Sequence, residues 1–167
     1  MAAKSYVLAM TRRPMVIYDH EWKLACMLCT ELPSIENGLM KPAGEGVELT
    51  YTIKPGLKWG DGKPLTSADF VFAWEVGKHP QSAVDAGEYF RRITRIDVKD
   101  DRTFTVHASK LTFNAASIYA LDPLPAHLER EAFAEPGEYK KRTVYDTNTT
   151  NPGLYYGPYR IAQTAPG

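Results

Sequence analysis

Tyr51-Thr52-Ile53-Lys54-Pro55-Gly56-Leu57-Lys58-Trp59-Gly60-Asp61-Gly62-Lys63-Pro64-Leu65-Thr66-Ser67-Ala68-Asp69-Phe70-Val71-Phe72-Ala73-Trp74 is the run that decides the fold. Leu49, Tyr51 and Ile53 alternate with Thr50 and Thr52, a period of two that predicts a half-buried strand over Leu49 to Lys54. Pro55-Gly56 ends it, since proline removes a ladder donor and glycine tolerates positive φ. Asp61-Gly62 is a second turn signal, flanked by Leu57, Trp59 and Leu65. Thr66 occupies an N-cap position with Asp69 three residues on, so hydroxyl and carboxylate can satisfy first-turn amides reciprocally. Phe70, Val71, Phe72, Ala73, Trp74 and Val76 then cover most of a helix circumference. That pattern places the helix over Ser67 to Val76 between layers, with Gly77 as its stop.

Outward from this run, Ser5 to Met10 reads as a strand. Tyr18 to Cys29, with Trp22, Leu24, Ala25, Leu28 and Cys29, suits a helix. Thr30 to Gly46 holds Pro33, Asn37-Gly38, Pro42 and Gly44 and reads as loop. Lys78 to Ala86 is polar, broken by Pro80, and reads as a mobile loop. Arg92 to Val98 and Arg102 to Ala108 predict a hairpin with Asp100-Asp101 at its tip. Phe104 and Val106 lie on one face of it, and Thr103, Thr105 and His107 on the other. Short helices are expected over Asn114 to Tyr119, Ala126 to Ala134 and Glu138 to Arg142, and a polar loop over Asp146 to Gly153. The sum is an α+β fold, a small antiparallel sheet with helices packed on it. No repeat or low-complexity tract interrupts it.

The quoted run resembles the signature of the extracellular solute-binding proteins of family 5, the oligopeptide, dipeptide and nickel receptors of bacterial ABC importers. The family's element is an aromatic strand, a basic turn with a tryptophan or phenylalanine before Asp-Gly, a Pro-Leu-Thr cap and an apolar helix. The departures are Ile53-Lys54 for Leu-Arg, Gly60 for His or Ser, and Ser67-Ala68 in the cap. Three further stretches resemble family elements in the family's order. They are Ile93 to Ala108 with its Asp100-Asp101 turn, Leu124-Pro125-Ala126-His127, and Asn151-Pro152-Gly153-Leu154-Tyr155-Tyr156-Gly157-Pro158-Tyr159-Arg160-Ile161. Each is weak alone; together, over residues 45–161, they are specific.

The resemblance implies the inserted subdomain of the first lobe of a two-lobed receptor. Residues 1–167 would form a single domain that mainly buttresses that lobe. Family members are exported and several times longer, so the chain reads as an excised piece of a larger protein. Tyr6 to Met10 is too short for the apolar core of a signal peptide. The implied partners are the remaining lobes, an ABC permease engaged through the full-length protein, and a peptide or other small solute. The implied location is extracytoplasmic, in the periplasm or at the cell surface, and no cofactor is implied. Trp59, Asp61, Gly62, Thr66, Asp69, Gly157, Pro158 and Tyr159 are the framework positions of the resemblance. Tyr89 follows the polar loop at a place where the family's chain approaches its ligand.

With 167 residues the chain can bury one substantial core. Twenty basic and twenty acidic residues give a formal net charge of zero, which argues against nucleic acid or an acidic membrane as partner. No apolar stretch approaches the roughly 20 residues of a membrane span.

Cys26-Met27-Leu28-Cys29 is a C-x-x-C. Its expected place late in an apolar helix suits buried thiols or a disulfide, and a thiol redox protein using Cys26 and Cys29 is the alternative function. A protein-interaction module is another. A zinc site would need two further ligands at suitable spacing, and no second cysteine pair exists. His20, His79, His107 and His127 are scattered, and no metal site is expected. Without a G-x-S-x-G elbow, no catalytic residue is assigned and no enzyme is expected. Tyr155 and Tyr156 combine apolar area with a hydroxyl, which suits a ligand cleft equally with packing against another lobe.

Overall fold

The computed structural model describes residues 10–82, 86–118 and 121–164. A four-stranded antiparallel sheet in the order β3-β4-β6-β5 forms its centre. The strands are β3 (Met40–Ala43), β4 (Gly46–Thr52), β5 (Ile93–Val98) and β6 (Thr103–Ala108). Leu49 pairs with Val106 and Tyr51 with Phe104, so the alternation seen in the sequence puts one apolar face inward. Thr50 and Thr105, on the other face, share a hydrogen bond of 2.9 Å. The β5–β6 hairpin turns at Asp100, whose carboxylate accepts from Arg102 N (2.9 Å) and Thr103 N (2.8 Å). The α+β architecture is therefore as the periodicity dictates.

Helix α1 (Ser67–Lys78) lies across the inner face of the sheet. Its start is fastened to the hairpin tip, because Ser67 donates to the carbonyls of Asp101 (N–H, 2.8 Å) and Asp100 (hydroxyl, 2.7 Å). Phe70 and Ala73 join the sheet core, while Phe72 and Val76 form a second core with Ala132 and Tyr139. The helix is thus buried on two sides, which is why its apolar residues follow no single stripe. Trp74 is half-buried, and its indole N–H is shared by the carbonyls of Phe90 (3.2 Å) and Ile93 (3.1 Å).

Helix α2 (Gly87–Arg92) crosses α1 at Gly77. A methyl group at Gly77 would stand 2.3 Å from Phe90 Cγ. Gly→Ala inside a helix ordinarily gains about 0.5–1 kcal/mol. Here the ring leaves no room, so Gly77→Ala is expected to destabilise by about 1–3 kcal/mol. Thermal denaturation checks the sign, and a gain in melting temperature would show that Phe90 can move aside.

Three expectations are corrected. Tyr18 to Cys29 is not a helix but a β-hairpin of β1 (Val16–Tyr18) and β2 (Leu24–Cys26). Asp19 Oδ1 accepts from Glu21 N (2.8 Å) and Lys23 N (2.9 Å), and Trp22 sits at φ 60°, which closes a turn and forbids helix continuation. Met27 N and Leu28 N both donate to Met15 O. Cys26 and Cys29 are joined as a disulfide just past the strand. The loop expected from Thr30 to Gly46 contains β3, which pairs with β4 despite Pro42, as an edge strand allows. The polar loop expected from Asp146 to Gly153 is shorter, because α5 (Val144–Thr147) and a 3-10 turn at Pro152–Leu154 take up both its ends.

Two expectations shift: α1 runs through Gly77, its expected stop, to Lys78, and the strand expected over Leu49 to Lys54 spans Gly46–Thr52. The short helices contract. Ala115–Ser117 is a 3-10 turn, Ala126–Glu129 is α3, Ala132–Ala134 is a 3-10 turn, and Tyr139–Arg142 is α4. Buried Glu129, the last residue of α3, ties that helix to the start of α5, accepting from Thr143 Oγ1 (2.8 Å) and Val144 N (2.9 Å). The expected strand Ser5 to Met10 lies outside the described residues except for Met10, which is helical. Tyr119 and residues 83–85 of the expected mobile loop also lie outside them.

Candidate functional site

The turn after β4 closes on itself before it meets anything else. Trp59 N donates to Lys63 O and Gly62 N to Trp59 O, both at 2.9 Å, with Gly62 at φ 88°. This drives the Trp59 ring inward, leaving it 2% exposed. Its Nε1–H donates to Asp69 Oδ2 at 3.1 Å. Asp69 Oδ2 also accepts from Thr66 N (2.9 Å), the carboxylate half of the predicted capping box, and Oδ1 accepts from Ala126 N (3.1 Å). Burial pushes the Asp69 carboxyl above its ordinary pKa, and these hydrogen bonds oppose that only in part.

On the outer side of the same turn, Asp61 Oδ2 lies 2.9 Å from His127 Nε2. Burial pushes the Asp61 carboxyl up, but the backbone N–H of Lys63 and the His127 imidazole more than offset it. Its pKa falls below the ordinary 3.8. A carboxylate whose pKa is depressed by folding contributes stability that is intact above its unfolded value and lost as pH falls through the folded one. Melting temperature is therefore expected to fall less steeply for Asp61→Asn than for the parent as pH drops from about 5 to about 2.5. An identical acid slope would remove the Asp61–His127 contact from the acid response.

The final segment returns to this turn. Gly60 N donates to Tyr155 O at 2.7 Å, and the Tyr156 ring stands edge-on to Trp59 with centroids 4.9 Å apart. Gly157 meets Thr11 backbone to backbone, donating to Thr11 O at 2.9 Å. A Cβ there would be 2.5 Å from Thr11 C. Trp59, Asp61, Gly62, Thr66 and Asp69 thus meet in one knot, Gly157 lies apart against Thr11, and Pro158 and Tyr159 (65%) are exposed.

The three candidate ligand tyrosines do not converge. Tyr155 is buried, with its hydroxyl donating to Thr149 O. The Tyr156 ring packs on Trp59, and its hydroxyl is buried without a hydrogen-bond partner among the described residues. Burial, then the nearby Asp122 carboxylate, holds its pKa well above the ordinary value. Tyr89 instead stands on the wall of a cavity of about 400 Å³, to which neither Tyr155 nor Tyr156 contributes. The floor is apolar, from Leu49, Ile93, Val106 and Ile118. Glu88, Arg92, Lys110 and Asn114 supply polar groups around it, with Arg92 paired to Glu88 at 2.6 Å.

An apolar floor with a few charged groups at its edge can bury a side chain and orient a polar end. Of the residues singled out in the sequence, Tyr89 lies on this wall, while the far wall, Lys110 to Ile118, was not singled out. The sequence predicted only a short helix within it, over Asn114 to Tyr119, and the cavity exists because this segment folds back over β4 and β6. Among the described residues, no group of three or more His, Cys, Asp or Glu is arranged to hold a metal ion.

The model of the bacterial extracellular solute-binding proteins of family 5 matches residues 36–167. A protein of Agrobacterium fabrum named as a probable peptide-binding protein is 29% identical over 123 residues, covering 71% of this chain and 19% of its own. The periplasmic oligopeptide-binding protein of Haemophilus influenzae is 27% identical over 120 residues, covering 54% of this chain and 22% of its own. The solved oligopeptide-binding protein of Thermus thermophilus, complexed with a pentapeptide, superposes with a TM-score of 0.81 at 24% identity. That match covers 100% of this chain and 32% of the other, and shows a shared fold. The chain therefore spans about a fifth of the two relatives' length and about a third of the solved structure.

Proposed function

The chain belongs to the bacterial extracellular solute-binding proteins of family 5, and from that premise we propose that it is part of the solute-capturing subunit of an ABC importer for peptides or similar solutes. The observation that carries this reading is the cavity beside Tyr89, whose apolar floor and charged edge have the chemistry of capture. Residues 1–167 act as one domain of a longer receptor, with the family's landmarks over 45–161. Their main role is to buttress the first lobe through the Trp59–Asp69 knot. Tyr89 faces the solute, while Tyr155 and Tyr156 pack the Trp59 turn. Trp59, Asp61, Gly62, Thr66, Asp69, Gly157, Pro158 and Tyr159 are framework residues rather than ligand contacts. The parent works outside the cytoplasmic membrane and hands its solute to a permease without catalysis. Closure of its lobes around the solute supplies most of the affinity.

Titration calorimetry with a peptide mixture tests this on two proteins. The full-length receptor is expected to show saturable binding, weakened about tenfold, or ~1.4 kcal/mol, by Tyr89→Ala. Residues 1–167 alone are expected to give no saturable heat. Micromolar binding by the isolated chain would overturn its structural role, and unchanged affinity in the Tyr89 variant would remove that residue from the solute face.

A further inference from the structure

We propose that the Cys26–Cys29 bridge is a thiol-exchange site, at which a dithiol reductant forms its mixed disulfide with Cys26 while Cys29 leaves as the buried thiol. Only three positions separate the two cysteines. So short a loop gains little of the chain-entropy stabilisation that protects long-loop disulfides. The two sulfurs also have unlike surroundings. Cys29 is fully buried, and its Sγ lies 3.6 Å from Met15 O, an acceptor in place for the thiol that reduction would create. Cys26 is partly exposed. The Lys54 ammonium rests on the same loop, donating to Cys26 O at 3.4 Å and Met27 O at 3.1 Å. Held on the backbone of the loop that carries Cys26, this cation raises the local positive potential, which favours a thiolate there. One reachable sulfur on a loop pinned by a cation and one shielded sulfur near an acceptor form the asymmetry that exchange requires.

In the first step a thiolate of the dithiol attacks Cys26 Sγ. The electron pair of the broken S–S bond goes to Cys29 Sγ, which takes up the proton given up by the reductant and donates toward Met15 O. The second thiol of the reductant then attacks its own sulfur in the mixed disulfide. That closes the reductant's disulfide and expels Cys26 as a thiolate on the loop that Lys54 holds. Two electrons pass from the dithiol to the bridge. The strand ends on either side are coupled to the result, since Cys26 pairs with Val16 in the hairpin and Cys29 bridges to Ile53 beyond β4.

The test treats the intact chain with graded dithiothreitol in the absence of denaturant, quenches with iodoacetamide and locates the adducts by mass spectrometry. The expected result is reduction of the folded protein, with far-UV circular dichroism retained and Cys26 alkylated at least about tenfold faster than Cys29. Glutathione disulfide is expected to form its adduct at Cys26 in Cys29→Ser, and Lys54→Met to slow Cys26 alkylation several-fold at neutral pH. A bridge that survives until denaturant is added, or equal alkylation of the two cysteines, would overturn the proposal. So would an unchanged rate in Lys54→Met. The parent chain's own kinetics decide the matter if Cys29→Ser does not fold. Because the readout is thiol chemistry, it stands apart from any result on solute binding.

Discussion

Asp69→Ala is expected to cost about 3–5 kcal/mol, a fall of roughly 10 °C in melting temperature for a domain of this size. The side chain is 4% exposed and accepts from the indole N–H of Trp59 and the backbone N–H groups of Thr66 and Ala126. Alanine strands three donors at once, at about 1–3 kcal/mol for each that stays dry. It also removes the negative charge that faces the start of α1. Asp69→Asn separates these effects. Its single carbonyl can serve the Oδ2 side, but its amide then meets the Ala126 N–H donor to donor, so a loss of about 1–3 kcal/mol is expected. Urea denaturation monitored by tryptophan fluorescence measures both. A loss below about 1 kcal/mol for Asp69→Ala would show that water replaces the carboxylate and that the knot is open to solvent.

Phe104→Ala is expected to cost a similar amount, about 3–5 kcal/mol, by a different route. Phe104 is fully buried between Phe70, stacked at 4.8 Å, and Tyr51, at 6.0 Å. It is the ring that joins the sheet to α1. Its removal forfeits both aromatic contacts and leaves a void that the strand pairing of Tyr51 and Phe104 cannot close. Phe104→Leu keeps most of the volume and is expected to lose about half as much. Equal losses for alanine and leucine would point to ring stacking rather than volume as the source.

The sheet and its helix were legible because local rules act there unopposed. Alternation over Leu49 to Ile53, the Asp100-Asp101 tip and the Thr66–Asp69 cap each specify one conformation through neighbours in sequence. The first hairpin was not legible for the opposite reason. Leu24, Ala25, Leu28 and Cys29 have helix-compatible spacing, and the signal that overrides it is an Asp19 side chain capturing two backbone amides. The same short-range limit hid β3, whose Pro42 reads as loop until β4 is there to pair with it.

At the candidate site the framework residues were identifiable from their order, but the partnership of Asp69 with Ala126 was not. It crosses 57 positions, and no periodicity encodes such a distance. The Tyr89 cavity was half-visible. Tyr89 was singled out, but the helix Gly87–Arg92 that carries it was not predicted, and the opposing segment acquires meaning only once folded over the sheet.

The knot also dictates an order of assembly. Asp69 reaches 57 positions forward to Ala126, and Asp61 reaches 66 positions to His127. Closing such loops costs entropy before any contact repays it, so the local hairpins and α1 form first and the knot last. A ribosome must release Tyr155 and Tyr156 before Trp59 can be shielded. Until then the emerging polypeptide carries an uncovered indole, which is the kind of surface that chaperones hold.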